Sequence, residues 1–264
     1  MTVNSYLNDL ARRLIVRDSE KDCIRRSFIA LESRLSNYFL GDIGFVSKFG
    51  SYHRGTILSR RYDSNSDVDI LVKFMNASYK PQTYLNKLKQ FVEYRYSSSV
   101  IRQSYPAIVL MLNHIKFELV PCIEAELHES GNFKIPSKVS DYQGWLLTSP
   151  FEFNKRLIRK NKVFDYRIKP LIRILKRWNV KHPSYSKIYD SFELEEQIIN
   201  HDFSRLNFNL KDCLFDFVNN MSEYYLPGYK KREVKKLVDG IKEIQYYENR
   251  HPIWAEEELR KFFD

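Results

Sequence analysis

Residues 48–74 read KFGSYHRGTILSRRYDSNSDVDILVKF. The end of this stretch, Asp67-Val68-Asp69 running into ILVKF, decides the fold. In a strand, side chains two residues apart leave the same face, so Asp67 and Asp69 point together and Leu71 follows on their side. Val68, Ile70, Val72 and Phe74 take the opposite face. A strand that is apolar on both faces beyond its first residues belongs inside a sheet. Two carboxylates at the mouth of such a strand repel each other unless a cation or a proton lies between them. Hard divalent ions such as magnesium take oxygen ligands and keep places for water and substrate phosphates. The pattern reads as a metal site for phosphate chemistry.

Upstream, the short extended segment GFVSKF (44–49) runs into Gly50-Ser51. Glycine lets a backbone approach a neighbour closely, and backbone donors at such a turn favour a phosphate. YHRGTIL then reads as the start of a helix. Downstream, HIKFELVPC (114–122) alternates Ile115, Phe117 and Leu119 with Lys116, Glu118 and Val120. Glu118 is thus an acid in mid-strand, with Pro121 expected to close the strand. Acids are rarely buried without a partner or a metal, which makes Glu118 a third carboxylate for the site. An edge strand with Glu118 facing water beside Lys116 is the alternative reading of the same nine residues.

Gly50-Ser51, Asp67-Val68-Asp69 and the acid in Phe117-Glu118-Leu119 together resemble the nucleotidyltransferase superfamily typified by DNA polymerase β. IKPLIRILKRWN (168–179) and DSFELE (190–195) look like the C-terminal lobe of one branch, that of oligoadenylate synthases, cyclic GMP-AMP synthase and bacterial CD-NTases. FKIPSKVSDYQGWLLTSP (133–150) looks like the connector between lobes in these enzymes. The resemblance runs from about residue 20 to 200. It implies an α+β fold, with a mixed-sheet nucleotidyltransferase core over 1–150, a helical lobe over 151–264 and a central cleft. It implies two Mg2+ or Mn2+ ions held by Asp67, Asp69 and Glu118. Gly50 and Ser51 are then expected to orient the triphosphate of an NTP, ATP first among them. Lys176 and Ser191 are expected on the donor phosphates, Ser191 also being a plausible first residue of a helix capped by Asp190 and Glu193. The implied activity joins NTPs into a cyclic or linear oligonucleotide second messenger, read by a downstream effector in bacterial antiphage signalling. Two other readings stay open at this point: nucleotidyl transfer onto RNA or protein, and a catalytically silent nucleic-acid-binding module. In two respects the chain departs from the family pattern. The loop between Ser51 and Asp67 is longer than in most members, and the third acid is Glu where this branch more often has Asp.

Composition agrees with a globular protein. The 264 residues are 43% hydrophobic and 15% aromatic, enough for a substantial core and against wholesale disorder. The longest apolar stretch, Ala107 to Leu112, is too short to cross a bilayer. MTVNSYLNDLARRL has no signal-peptide apolar region, so a cytoplasmic protein with no membrane partner is expected. Cys23, Cys122 and Cys213 are scattered, which fits neither a disulfide framework nor a zinc site. A formal charge of +10 points to anionic partners, nucleotides or an activating nucleic acid.

Helical spacing predicts a long helix from Ser19 to Phe39 with Gly41 as its stop. Strands are expected near 44–49, 67–74, 100–104, 107–112 and 115–120, with a helix near 81–95. After residue 150 the pattern is helical: 151–161, 164–179, 190–200, 210–223, 230–248 and 253–262. Lys169, Arg173 and Lys176 form a stripe along the second of these. The run Lys155, Arg156, Arg159, Lys160 and Lys162 is read as a solvated face. Tyr142, Trp145, Tyr185 and Tyr189 are read as core or interface before base-stacking partners.

Overall fold

The computed structural model describes every residue except 1, 126–130, 139–143, 182–186, 207–208, 222 and 224. Tyr142 and Tyr185 lie outside the described residues. In chain order the elements are α1 (Val3–Arg13), α2 (Asp18–Tyr38), β1 (Ile43–Lys48), α3 (Gly50–Arg54), β2 (Asp67–Phe74), α4 (Pro81–Arg95), β3 (Val100–Ser104), β4 (Ala107–Met111) and β5 (Lys116–Glu124). They continue with β6 (Phe133–Pro136), β7 (Trp145–Thr148), α5 (Pro150–Val163), α6 (Ile168–Val180), α7 (Ser191–Asn200), α8 (Leu210–Asn219), α9 (Gly228–Tyr247) and α10 (Pro252–Phe263). The chain forms two compact units, one of residues 16–57 and 65–155, the other of residues 1–15, 58–64 and 156–264.

The first unit is built on a mixed sheet in the order β1-β2-β5-β4-β3, with β6 paired to β5 and β7 to β6. β2 and β5 run parallel; the other neighbours are antiparallel. One face of β2, β4 and β5 buries Val68, Ile70, Val72, Ile108, Leu110, Phe117 and Leu119. α2 covers that face with Ile24, Phe28, Leu31 and Leu35, and α4 with Tyr84, Leu85, Leu88 and Phe91. The other face carries Leu71, Val120, Cys122, Phe133 and Ile135. β2 is therefore apolar on both sides beyond its carboxylates, as its sequence requires of an internal strand. α2 stops as expected: Gly41 has φ +77°, a conformation that side chains disfavour.

The other unit is helical. α6 is amphipathic, and Leu171, Ile172, Leu175 and Trp178 are buried in it. α1 belongs here too: Val3, Tyr6, Leu7 and Leu10 recur at helical spacing and are buried, and the helix packs on α6, α8 and α10.

Four expectations change. α1 precedes the predicted long helix. Two short strands, β6 and β7, occupy part of the expected connector. Residues 1–15 and 58–64, expected in the N-terminal core, group with the C-terminal helices, and the units part inside α5, between Lys155 and Arg156. Finally, Pro121 does not close β5. It sits between Leu119, the last residue paired with β4, and Ile123, the first paired with β6. The strand thus changes antiparallel partner where it has no N–H to offer.

Candidate active site

β1 pairs with β2 so that Lys48 lies opposite Ile70, and the Phe49 N–H donates to the Asp69 carbonyl at 3.0 Å. The chain then turns at Gly50, φ +65°, into the single turn of α3. A β-carbon built on Gly50 meets Asp69 Oδ2 at 1.8 Å. The Gly-Ser turn and the Asp-Val-Asp strand are therefore one local structure, and the glycine is needed both for its φ and for the room that Asp69 takes. α3 ends at Gly55, φ +70°, and the Ser51 carbonyl accepts from the N–H groups of Thr56 and Ile57 at 3.0 and 3.2 Å. Arg54, buried, lies over the Phe153 ring at 5.0 Å.

In the parallel β2–β5 ladder Asp67 faces Lys116 and Asp69 faces Glu118. All four lie at odd or even positions that share one face of the sheet. β5 is internal, so Glu118 is not an edge-strand residue, and its side chain is only 23% exposed. Lys116 Nζ sits 2.9 Å from Asp67 Oδ2 and 3.0 Å from Glu118 Oε1. Burial and the neighbouring Asp67 raise the Glu118 carboxyl above its ordinary value, against the pull of Lys116. Burial works against the Lys116 ammonium, yet Asp67 and Glu118 outweigh it and hold it above the usual lysine range.

Among the described residues, no three acid, histidine or cysteine side chains are already gathered as an ion site. The donor set nevertheless suits a hard divalent cation. It is all carboxylate, it places like charges directly opposite in the ladder, and a cationic nitrogen already stands between two of its members. Asp67, Asp69 and Glu118 fit the metal expected of them.

Lys176 and Ser191 lie in the helical unit. Lys176 is buried and paired with the fully buried Glu195 of α7. Arg173, one turn earlier, is buried too, and burial lowers it to about 10. Lys169 is lowered by burial and by Arg173. The stripe is thus half-buried to buried along its length. Ser191 opens α7, whose N-cap Asp190 accepts from the N–H of Phe192 at 2.8 Å and of Glu193 at 3.3 Å. The Ser191 hydroxyl is 3.1 Å from Lys187 Nζ. Asn179 fixes this entry by exchanging two 2.9 Å hydrogen bonds with the Tyr189 backbone. Tyr189 is buried, and Trp145 packs on Tyr84 at 5.7 Å, so both serve the core.

Sequence reading gave no place in the site to Lys116, which it set only beside a solvent-facing Glu118, and did not single out Glu195 or Asn179. The signal for Lys116 was its position two residues before Glu118, which puts both on one face. Nothing local marked Glu195 or Asn179, whose partners lie 19 and 10 residues away.

The paired strands thus carry three carboxylates on one face, with the glycine turn against Asp69. A family model described as Second Messenger Oligonucleotide or Dinucleotide Synthetase domain (SMODS) matches residues 1–161, more than half of the chain. The chain belongs to that family. Among solved structures, the CdnC of Escherichia coli MS115-1 with ATP is similar at a TM-score of 0.73 and 13% identity, covering 100% of this chain and 98% of that one. The CD-NTase CdnG of Bradyrhizobium diazoefficiens in complex with GTP gives 0.71 and 11%, with 98% and 97% covered. The STING-associated CdnE c-di-GMP synthase of Capnocytophaga granulosa gives 0.66 and 19%, with 96% and 85% covered. At such identities the likeness is one of fold. No curated protein matches the chain. No helix among the described residues is long and apolar enough to cross a membrane.

Proposed function

We propose that the chain joins NTPs, ATP among them, into a cyclic or linear oligonucleotide messenger in a metal-dependent reaction at Asp67, Asp69 and Glu118. The observation that carries this is the β2–β5 ladder, which aligns Asp69 with Glu118 and sets Asp67 on the same face. Bound Mg2+ or Mn2+, two ions by resemblance, would supply charge stabilisation for the phosphates and a more acidic acceptor hydroxyl. The protein's own part is to hold three carboxylates on two rigid strands and to keep the backbone of Gly50 and Ser51 against them, where it orients the donor triphosphate. Lys176 and Ser191 are assigned to the donor phosphates by resemblance. No side-chain nucleophile is required, since the acceptor is a nucleotide hydroxyl.

The structural relatives solved with ATP and with GTP support NTPs as substrates, and the formal charge of +10 suits anionic ones. By the same resemblance the product serves antiphage signalling and is read by a separate effector. Purified protein incubated with the four labelled NTPs and Mg2+ or Mn2+ tests the reading. A phosphatase-resistant small product identified by mass spectrometry is the expected result. Label that enters only added RNA or protein overturns it in favour of macromolecular transfer. Tight, salt-steep nucleic-acid binding with no turnover under any ion overturns it in favour of a binding module.

A further inference from the structure

Lys116 is the cation that this chain itself supplies to the acid cluster. It is the register partner of Asp67 and shares the sheet face of Glu118, so the strand geometry alone carries its side chain to both. Its ammonium is 2.9 Å from Asp67 and 3.0 Å from Glu118, and its side chain is only 14% exposed. Both carboxylates belong to the set that would hold a divalent ion in the metal-dependent reading. Magnesium binds oxygen at about 2.0–2.1 Å, so oxygens spread around an ammonium have to draw inward by roughly 1 Å to hold it. The ammonium and the ion cannot share that space.

We propose that Lys116 is a built-in stand-in for a divalent ion: it holds Asp67 and Glu118 together in the metal-free protein and must leave before an ion bridges them, thereby weakening ion binding. The proposal rests on the metal-dependent reading above and adds the residue that sets the affinity of the site. The ligand is the divalent cation, and the step is an exchange of one cation for another with no bond made or broken. Lysine suits the task because its charge sits on a flexible four-carbon stem that can swing aside.

The test is Mn2+ binding to the nucleotide-free full chain, followed by calorimetry and by the paramagnetic resonance of free Mn2+. Lys116→Met is expected to tighten Mn2+ binding on the order of tenfold or more, because a charge a few ångströms from the ion is removed. The same variant should gain more in melting temperature from saturating Mn2+ than the wild type does. Lys116→Arg keeps the charge and is expected to bind Mn2+ no more tightly than the wild type. Lys116→Gln, which keeps a donor between the carboxylates, gives the same comparison if the Met variant does not fold. Unchanged or weaker Mn2+ binding in Lys116→Met and Lys116→Gln overturns the proposal. Asp67→Asn in the same titration separates the two readings. Loss of binding there leaves the metal site standing whatever Lys116 does, and unchanged binding removes the metal site and this proposal with it.

Discussion

A β-carbon on Gly50 would stand 1.8 Å from Oδ2 of Asp69, so the glycine of the turn and the second acid of the strand occupy adjoining space that no side chain can share. Gly50→Ala must therefore push Asp69 aside in addition to straining a φ of +65°. Gly41 is a natural control, because its φ is +77° and nothing lies within 4 Å of its β-carbon position. Gly41→Ala is expected to cost about 1–2 kcal/mol and keep turnover, the strain of a left-handed alanine alone. Gly50→Ala should cost more and lose turnover. Urea unfolding beside a product assay checks both. Equal activity in the two variants would show that the contact with Asp69 does not matter.

Asp69→Asn keeps the size of the side chain and removes its charge. Product formation should fall at least about 100-fold, since charge stabilisation by a held metal is worth several kcal/mol and each 1.36 kcal/mol is tenfold. The fold should remain, because Asp69 is partly exposed at the start of β2 and Asn keeps its size. A folded variant with wild-type turnover in Mg2+ and Mn2+ would remove Asp69 from the site.

The site was legible where chemistry and periodicity coincide within a short stretch. Asp67, Asp69 and the apolar residues between them needed only the two-residue period of a strand, and Glu118 needed the same alternation. α2 announced itself by helical spacing and by Gly41, and α4 opens on Pro81 at its first turn. What stayed hidden depends on partners distant in sequence. The register that puts Lys116 opposite Asp67 arises from a parallel pairing across nearly 50 residues, which neither strand encodes alone. Pro121 read as a terminator because the exchange of β4 for β6 beside it cannot be seen locally. The long loop after Ser51 looked like an irregularity of the family pattern. In the fold its residues 58–64 belong with the helices, where Arg177 donates to the Tyr62 carbonyl at 3.3 Å and lies over the Tyr62 ring at 5.6 Å.

Lys176 and Glu195 make a buried ion pair between α6 and α7. Removing one partner of such a pair strands a charge and typically costs about 3–5 kcal/mol, whereas replacing both by apolar groups is often neutral. Lys176→Met should lose stability on that scale, and Lys176→Met with Glu195→Leu should recover at least half of the loss. Chemical denaturation of the three proteins measures it. A single variant as stable as the wild type would mean that the pair contributes nothing to the fold.

Glu118 gives stability a pH dependence. Its carboxyl is raised above the ordinary 4.5, so between that value and the higher folded one the native state binds more protons than the unfolded state. Stability from this group is then lost as pH rises through that interval. In metal-free protein, Glu118→Gln should therefore gain on the wild type as pH increases from about 4.5, reaching a plateau once Glu118 is ionised in both states. Unfolding free energies of the two proteins across that range decide it, and a difference that stays flat with pH would contradict the raised value.

The helical unit is assembled from three separated pieces of chain, and this dictates an order of events at the ribosome. By residue 155 the whole sheet unit has been synthesised, whereas Val3, Tyr6, Leu7 and Leu10 still await the helices they pack against. At about 5–20 residues per second, the remaining hundred or so residues keep that greasy leading face waiting for roughly 5–20 s. The nascent chain therefore carries an unsheltered apolar segment ahead of a finished sheet, a natural landing place for a holdase chaperone.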